Sequence, residues 1–228
     1  KVSFYRIKIT ILIMNLLVVS FFLHNVLATL VLGVKFRSRS DSVIKNFGSA
    51  IILNSVAFGI WSVAVLMMPQ DLELFITIGT LFFIASLITF LSAGLQNSNE
   101  SNRKMLLLAG SVAAVIIFFM RTFIYPSQPG FSPEGLFFFN PHPIVQIIYI
   151  FALALTALPA IDALASKFTH PYSSLLRYGF IAEVMGGIIL ITNVDTLVLY
   201  IAGWIMGFVY FVLWTSMLFG KKAWVGVN

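Results

Sequence analysis

The chain has no cysteine. Disulfides, thiolate nucleophiles and cysteine-held metal centres are therefore excluded. Charge is nearly as scarce: 10% of the 228 residues are Asp, Glu, Lys or Arg, against about 25% in soluble domains. Histidine occurs only as His24, His142 and His170. No cluster of His and carboxylates has metal-ligand spacing, and a membrane haem held by two histidines would lack its second axial ligand. A retinal pocket needs a lysine within its last helix for the Schiff base, and the stretch 196–219 contains none. Glycine-rich phosphate loops, nucleophile elbows and kinase signatures are missing as well. No cofactor, no metal and no catalytic residue is assigned on these grounds.

What the chain does have is hydrocarbon, with 60% of its residues hydrophobic. Its apolar runs are long and unbroken, which selects helices over the alternating strands of a barrel. About 20 apolar residues cross a bilayer core, and backbone groups in lipid must be paired within the span. The expectation is an all-α, polytopic integral membrane protein, a single bundle of seven transmembrane helices over 1–228. Helix 1 is read from about Ile9 to Val34, and helix 2 from Phe47 to Met68, stopped by Pro69. Helix 3 runs from Leu72 to Leu95, with Asp71 and Glu73 where the helix dipole favours carboxylates. Helix 4 runs from Met105 to Ile124 and helix 5 from Ile144 to Ser166, kinked at Pro159. Helix 6 runs from Leu175 to Asn193, with Gly186-Gly187 inside it, and helix 7 from Thr196 to Phe219. The proline-rich connection Tyr125–Pro143 carries Phe137-Phe138-Phe139, which suit a membrane interface.

Basic residues follow the odd-numbered helices: Lys35, Arg37, Arg39 and Lys45, then Arg103 and Lys104, then Lys167 and Arg177, then Lys221 and Lys222. The remaining loops hold Asp71, Glu73, Glu134 and Asp195. Arg121, near the outer end of helix 4, is read as an anchor snorkelling outward. The positive-inside rule then gives an N-out, C-in topology in a plasma or cytoplasmic membrane, although Lys1, Arg6 and Lys8 pull the other way. The net charge of +6 is a topology signal on this reading, not a nucleic-acid footprint. Asn99-Glu100-Ser101 is a glycosylation sequon on the inner side, and a sugar there would reverse the orientation.

Two basic corners resemble each other: Lys35-Phe36 leads to Phe47-Gly48, and Lys167-Phe168 leads to Tyr178-Gly179. Asp71, Gly79 and Ser92 share their spacing with Asp195, Gly203 and Ser216. A parallel duplication would relate 9–95 to 144–220 across the helix 105–124. This 3-1-3 plan is similar to that of the SWEET sugar transporters, which implies a transporter architecture. Their Pro-Gln signature is not reproduced, since Pro69-Gln70 follows helix 2 and has no counterpart in the second half.

Polar groups inside a bilayer are costly and therefore informative. The candidates for a ligand or proton pathway are His24, Asn25, Asn54, Asp162 and Glu183. Glu183, about two turns into helix 6, is a candidate proton carrier; pairing with Arg177 is the structural alternative. His24 can relay protons or make an interhelical contact beside Asn25. Asp162 lies near the inner end of helix 5, within reach of Lys167. Together these residues would line a cavity facing the cytoplasm. The leading functional reading is a non-catalytic module: a sensor or receptor, or an integral subunit or anchor of a membrane complex. Its partners would be the lipid bilayer, a small-molecule ligand, and a partner protein or a cytoplasmic output domain beyond Asn228. The alternative is a small secondary transporter or permease, proton-coupled through Glu183. An intramembrane lipid-modifying enzyme ranks below both, because no paired catalytic groups are visible.

Overall fold

The structure is a computed structural model that describes residues 26, 27, 29–67, 71–131, 137–170, 172–191 and 205. Helix α1 covers 29–37. It is followed by α2 (Ser42–Met67), α3 (Leu72–Gly94), α4 (Glu100–Phe119), a π turn (Met120–Ile124), α5 (Pro143–Ala165) and α6 (Tyr172–Ile191). Between the π turn and α5, β1 (Gly130–Phe131) and β2 (Phe137–Phe138) form a small antiparallel ribbon, with Gly130 opposite Phe138. Among the described residues four stretches are long and apolar enough to cross a membrane: Ser42–Val65, Leu72–Gly94, Glu100–Ile124 and Pro143–Ala165. Most of the expected helix 1, and helix 7 except residue 205, lie outside the described residues. The proposed duplication compares those helices, so its test lies outside them too.

Two helices begin more than a turn earlier than hydropathy indicates, and caps explain both. The Asp41 carboxylate accepts the amides of Val43 (2.9 Å) and Ile44 (3.1 Å), so α2 starts at Ser42 instead of Phe47. The Asn99 side chain accepts the Asn102 amide at 2.8 Å, so α4 starts at Glu100 instead of Met105. Each cap satisfies amides that the first turn leaves without helical partners. Helix α5 begins with Pro143, whose missing N–H costs nothing in the first turn, and continues through Pro159.

The antiparallel pair α2–α3 forms the centre, α5 packs on α3, and α6 packs on α5. The ring of Phe47 meets Phe90 at 5.0 Å and Phe180 at 4.7 Å, both edge-on, and so ties α2, α3 and α6 together. Helix α4 lies at the periphery against α3, with Met105, Leu108, Val112, Val115 and Phe119 exposed along it.

The two basic corners come together at one end of the bundle. Lys167 Nζ lies 2.9 Å from the Asp41 carboxylate, and the rings of Phe36 and Phe168 are 6.4 Å apart. Partial burial would raise the pKa of Asp41. The hydrogen bond from Lys167, the Ile44 amide, the Lys167 charge and the Val43 amide outweigh it and hold the carboxyl below its ordinary value. The ribbon sits at the opposite end of α5.

Candidate functional site

A cavity of about 100 Å³ lies among α2, α3, α5 and α6, reaching Arg121 and Ser127 beside the ribbon. Its walls follow from helical periodicity. Ile76, Thr80 and Phe83 recur on one face of α3, and Tyr149, Leu153 and Ala157 on one face of α5. Phe58 and Trp61 from α2 and Phe180 from α6 complete a wall that is mostly aromatic and aliphatic.

Trp61 is seated by an absence. A Cβ on Gly79 would collide with the indole, so only glycine lets the ring lie flat on α3. From there Trp61 Nε1 donates to the Ile76 carbonyl at 3.3 Å. The ring meets Phe58 at 5.3 Å, Phe139 at 5.0 Å and Phe83 at 5.9 Å. Phe139 thus packs inward on Trp61, where an interfacial position was expected of it.

The polar end is built around Arg121. Helix α4 turns its face bearing Ala114, Ile117 and Phe118 toward the core, and Arg121 lies two turns after Ala114 on that side. The π turn closes there, with the Tyr125 amide donating to the Met120 carbonyl at 2.7 Å. The Tyr125 ring stacks on His142 at 4.4 Å, which ties this turn to the start of α5. Arg121 is only 3% exposed, so it does not snorkel outward as its position in the sequence suggested. Its guanidinium donates instead to Thr77 Oγ1 and to Ser127 Oγ, each at 2.9 Å. Among the described residues no carboxylate lies within ion-pair distance of it. Glu73, on the exposed rim one turn before Thr77, acts on it through space. Tyr149, 6% exposed, also lines the cavity. Its hydroxyl lies beside that of Thr80, close enough to interact but outside good hydrogen-bond geometry. The neighbouring Thr80 hydroxyl donates to the Ile76 carbonyl at 2.7 Å.

The residues singled out from the sequence scatter. Asn54 lines the cavity, half-buried, on the wall that also holds Thr29. Asp162 does not reach it: its carboxylate is 71% exposed and pairs with Arg177 Nε at 2.9 Å. Lys167, the partner expected for Asp162, reaches Asp41 instead, and Arg177, the alternative partner for Glu183, is engaged by Asp162. Glu183 belongs to α6 between the cavity-lining Phe180 and Val184, and its side chain lies outside the description. His24 and Asn25 lie outside the described residues. Arg121, Tyr149 and Trp61 were not recognised as site residues. One signal was present for Arg121, as the single basic residue among acidic connections, but an apolar helix on all sides hides which face looks inward.

This arrangement can bind. Its polar end offers buried donors, and away from bulk solvent a hydrogen bond is stronger than in water. No three His, Asp or Glu side chains gather around a metal position among the described residues. Comparison of the chain with family models, with curated proteins and with solved structures finds no match.

Proposed function

We propose that the protein is a seven-helix integral membrane module that binds a small molecule within its bundle and acts as a non-catalytic receptor or sensor. The observation that carries this reading is the mainly apolar cavity closed at one end by the buried Arg121. Four membrane-length apolar stretches, and apolar side chains exposed along α4, support a bilayer as the solvent. The two basic corners share one end through Asp41 and Lys167, while Asp71 and Glu73 begin α3 at the other. Positive charge marks the cytoplasmic side, which supports an N-out, C-in orientation with the Arg121 end outward.

Reception is favoured over transport by the inner end of the cavity. There the rings of Phe47, Phe90 and Phe180 pack edge to face, a contact that a crossing solute would have to part. The test uses protein in nanodiscs with Trp61 as the only tryptophan and 1-bromodecane as quencher. Saturable quenching of Trp61, lost when Ala157→Phe fills the cavity, is the expected result. Quenching that is non-saturable and unchanged by Ala157→Phe means that nothing binds inside the bundle. Directional uptake of a polar solute into proteoliposomes would favour the permease instead.

A further inference from the structure

We propose that the cavity takes a single-chain carboxylic acid, its carboxylate on Arg121 and Tyr149 and its hydrocarbon along the aromatic wall toward Phe180. This assignment rests on the ligand-binding reading above and adds the chemical class of the ligand.

The head is argued from what the polar end offers. Arginine carries five N–H donors, and two of the nitrogens of Arg121 are engaged with the hydroxyls of Thr77 and Ser127. Those partners are neutral, so the charge itself is not balanced by them. No carboxylate among the described residues pairs with it. A buried charge without a counter-ion is costly, and an anionic ligand supplies one. The Tyr149 hydroxyl, buried beside the Thr80 hydroxyl at this end of the cavity, is a further donor once it turns from Thr80 to the ligand. A hydroxyl that accepts from Arg121, as Ser127 does, keeps its own proton to donate. Donors without acceptors select an acceptor-only group, and a guanidinium fork suits a carboxylate in shape. One buried cation balances one negative charge, which favours a carboxylate over a phosphate monoester dianion.

The tail is argued from the wall. The lining continues along α5 from Tyr149 to Ile161, roughly 18 Å at the helical rise. Away from the Arg121 end, the polar lining among the described residues comes down to Asn54 and Thr29, and the Thr29 hydroxyl is hydrogen-bonded to Ser55. A sugar or an amino acid would leave most of its polar groups unmatched there, at a cost that hydrocarbon does not incur. Glu73 at the rim opposes an anion and so limits its affinity.

The test measures binding of radiolabelled decanoate and decanol, which share one chain, to the protein in nanodiscs of uncharged lipid at neutral pH. Decanoate is expected to bind saturably, one per chain, and decanol about tenfold or more weakly, the effect of losing a charge-assisted hydrogen bond. Arg121→Gln should lower decanoate to about the level of decanol, and binding of decanol that is still lost on adding Ala157→Phe shows that the variant is folded. Glu73→Gln should tighten decanoate alone. Equal binding of acid and alcohol, as would follow if a carboxylate of the chain itself served Arg121, overturns the proposal; if Ala157→Phe still abolishes both, the ligand-binding reading stands. Decyl phosphate binding more tightly than decanoate overturns the carboxylate assignment. Displacement of decanoate by anionic bilayer lipid overturns the single-chain acid as the source of the head. If neither decanoate nor decanol binds, both readings fall. Should Arg121→Gln bind nothing, the wild-type ratio of acid to alcohol and the Glu73→Gln shift decide.

Discussion

A methyl group at position 79 would stand where the Trp61 indole now lies. Overpacking of this kind costs about 1–3 kcal/mol, more than the ~0.5–1 kcal/mol an alanine gains over glycine in a helix. Gly79→Ala should therefore lower the thermal unfolding midpoint in detergent and shift Trp61 emission; an unchanged midpoint would show that the ring has room to move. Arg121 leads to the opposite expectation. Its charge is buried without a carboxylate among the described residues, so Arg121→Met should leave the ligand-free protein at least as stable as the wild type. A midpoint several degrees lower in a melting curve would instead make Arg121 a structural strut. Neither residue could be assigned its place from the sequence. Gly79 attracted attention only through a spacing shared with Gly203, and its use became visible once Trp61 was seen against it. Arg121 sits in a helix whose every side is apolar, and without a polar face periodicity gives no inward direction.

Helices were legible in the sequence as apolar runs, but their first turns were not. The helix starts at Ser42 and Glu100 lie within polar segments, because Asp41 and Asn99 cap amides that hydropathy ignores. Asp41 serves twice, as cap of α2 and as partner of Lys167. Asp41→Ala should cost about 1–2 kcal/mol, the usual loss on removing a cap. Asp41→Asn should cost less, since an amide still caps while the ion pair is lost. The acid dependence has a definite sign. Lys167 and the Ile44 and Val43 amides more than offset the effect of burial and depress the folded-state pKa of Asp41. Its contribution is then complete above the ordinary carboxylate value of about 4 and disappears as pH falls through the lower, folded value. Unfolding curves between about pH 5 and pH 2 should show this loss in the wild type and a flatter limb in Asp41→Asn; equal slopes would remove Asp41 from the acid response.

At the scale of the whole molecule, charge was the most readable signal. The basic corners at Lys35 and Lys167 were placed on one side from loop composition alone, and the structure brings Asp41 and Phe36 onto Lys167 and Phe168. The cavity was not readable, because residues from α1, α2, α3, α5 and α6 meet there with Arg121, Ser127, Phe139 and Pro141, and each helix by itself is ordinary apolar sequence. The absence of cysteine makes the proposed orientation directly testable. Single Asn97→Cys and Gln128→Cys variants, both at exposed positions, should differ: an impermeant maleimide added to intact cells should label position 128 and spare 97. The reverse pattern would invert the protein in the membrane. The two rims of the bundle are held by different chemistry. An ion pair staples Asp41 to Lys167 at one. Hydrogen bonds from Arg121 to neutral hydroxyls and a ring stack hold the other beside the ribbon. Added salt, which screens a partly exposed ion pair far more than a buried hydrogen bond, should therefore loosen the Asp41 rim first.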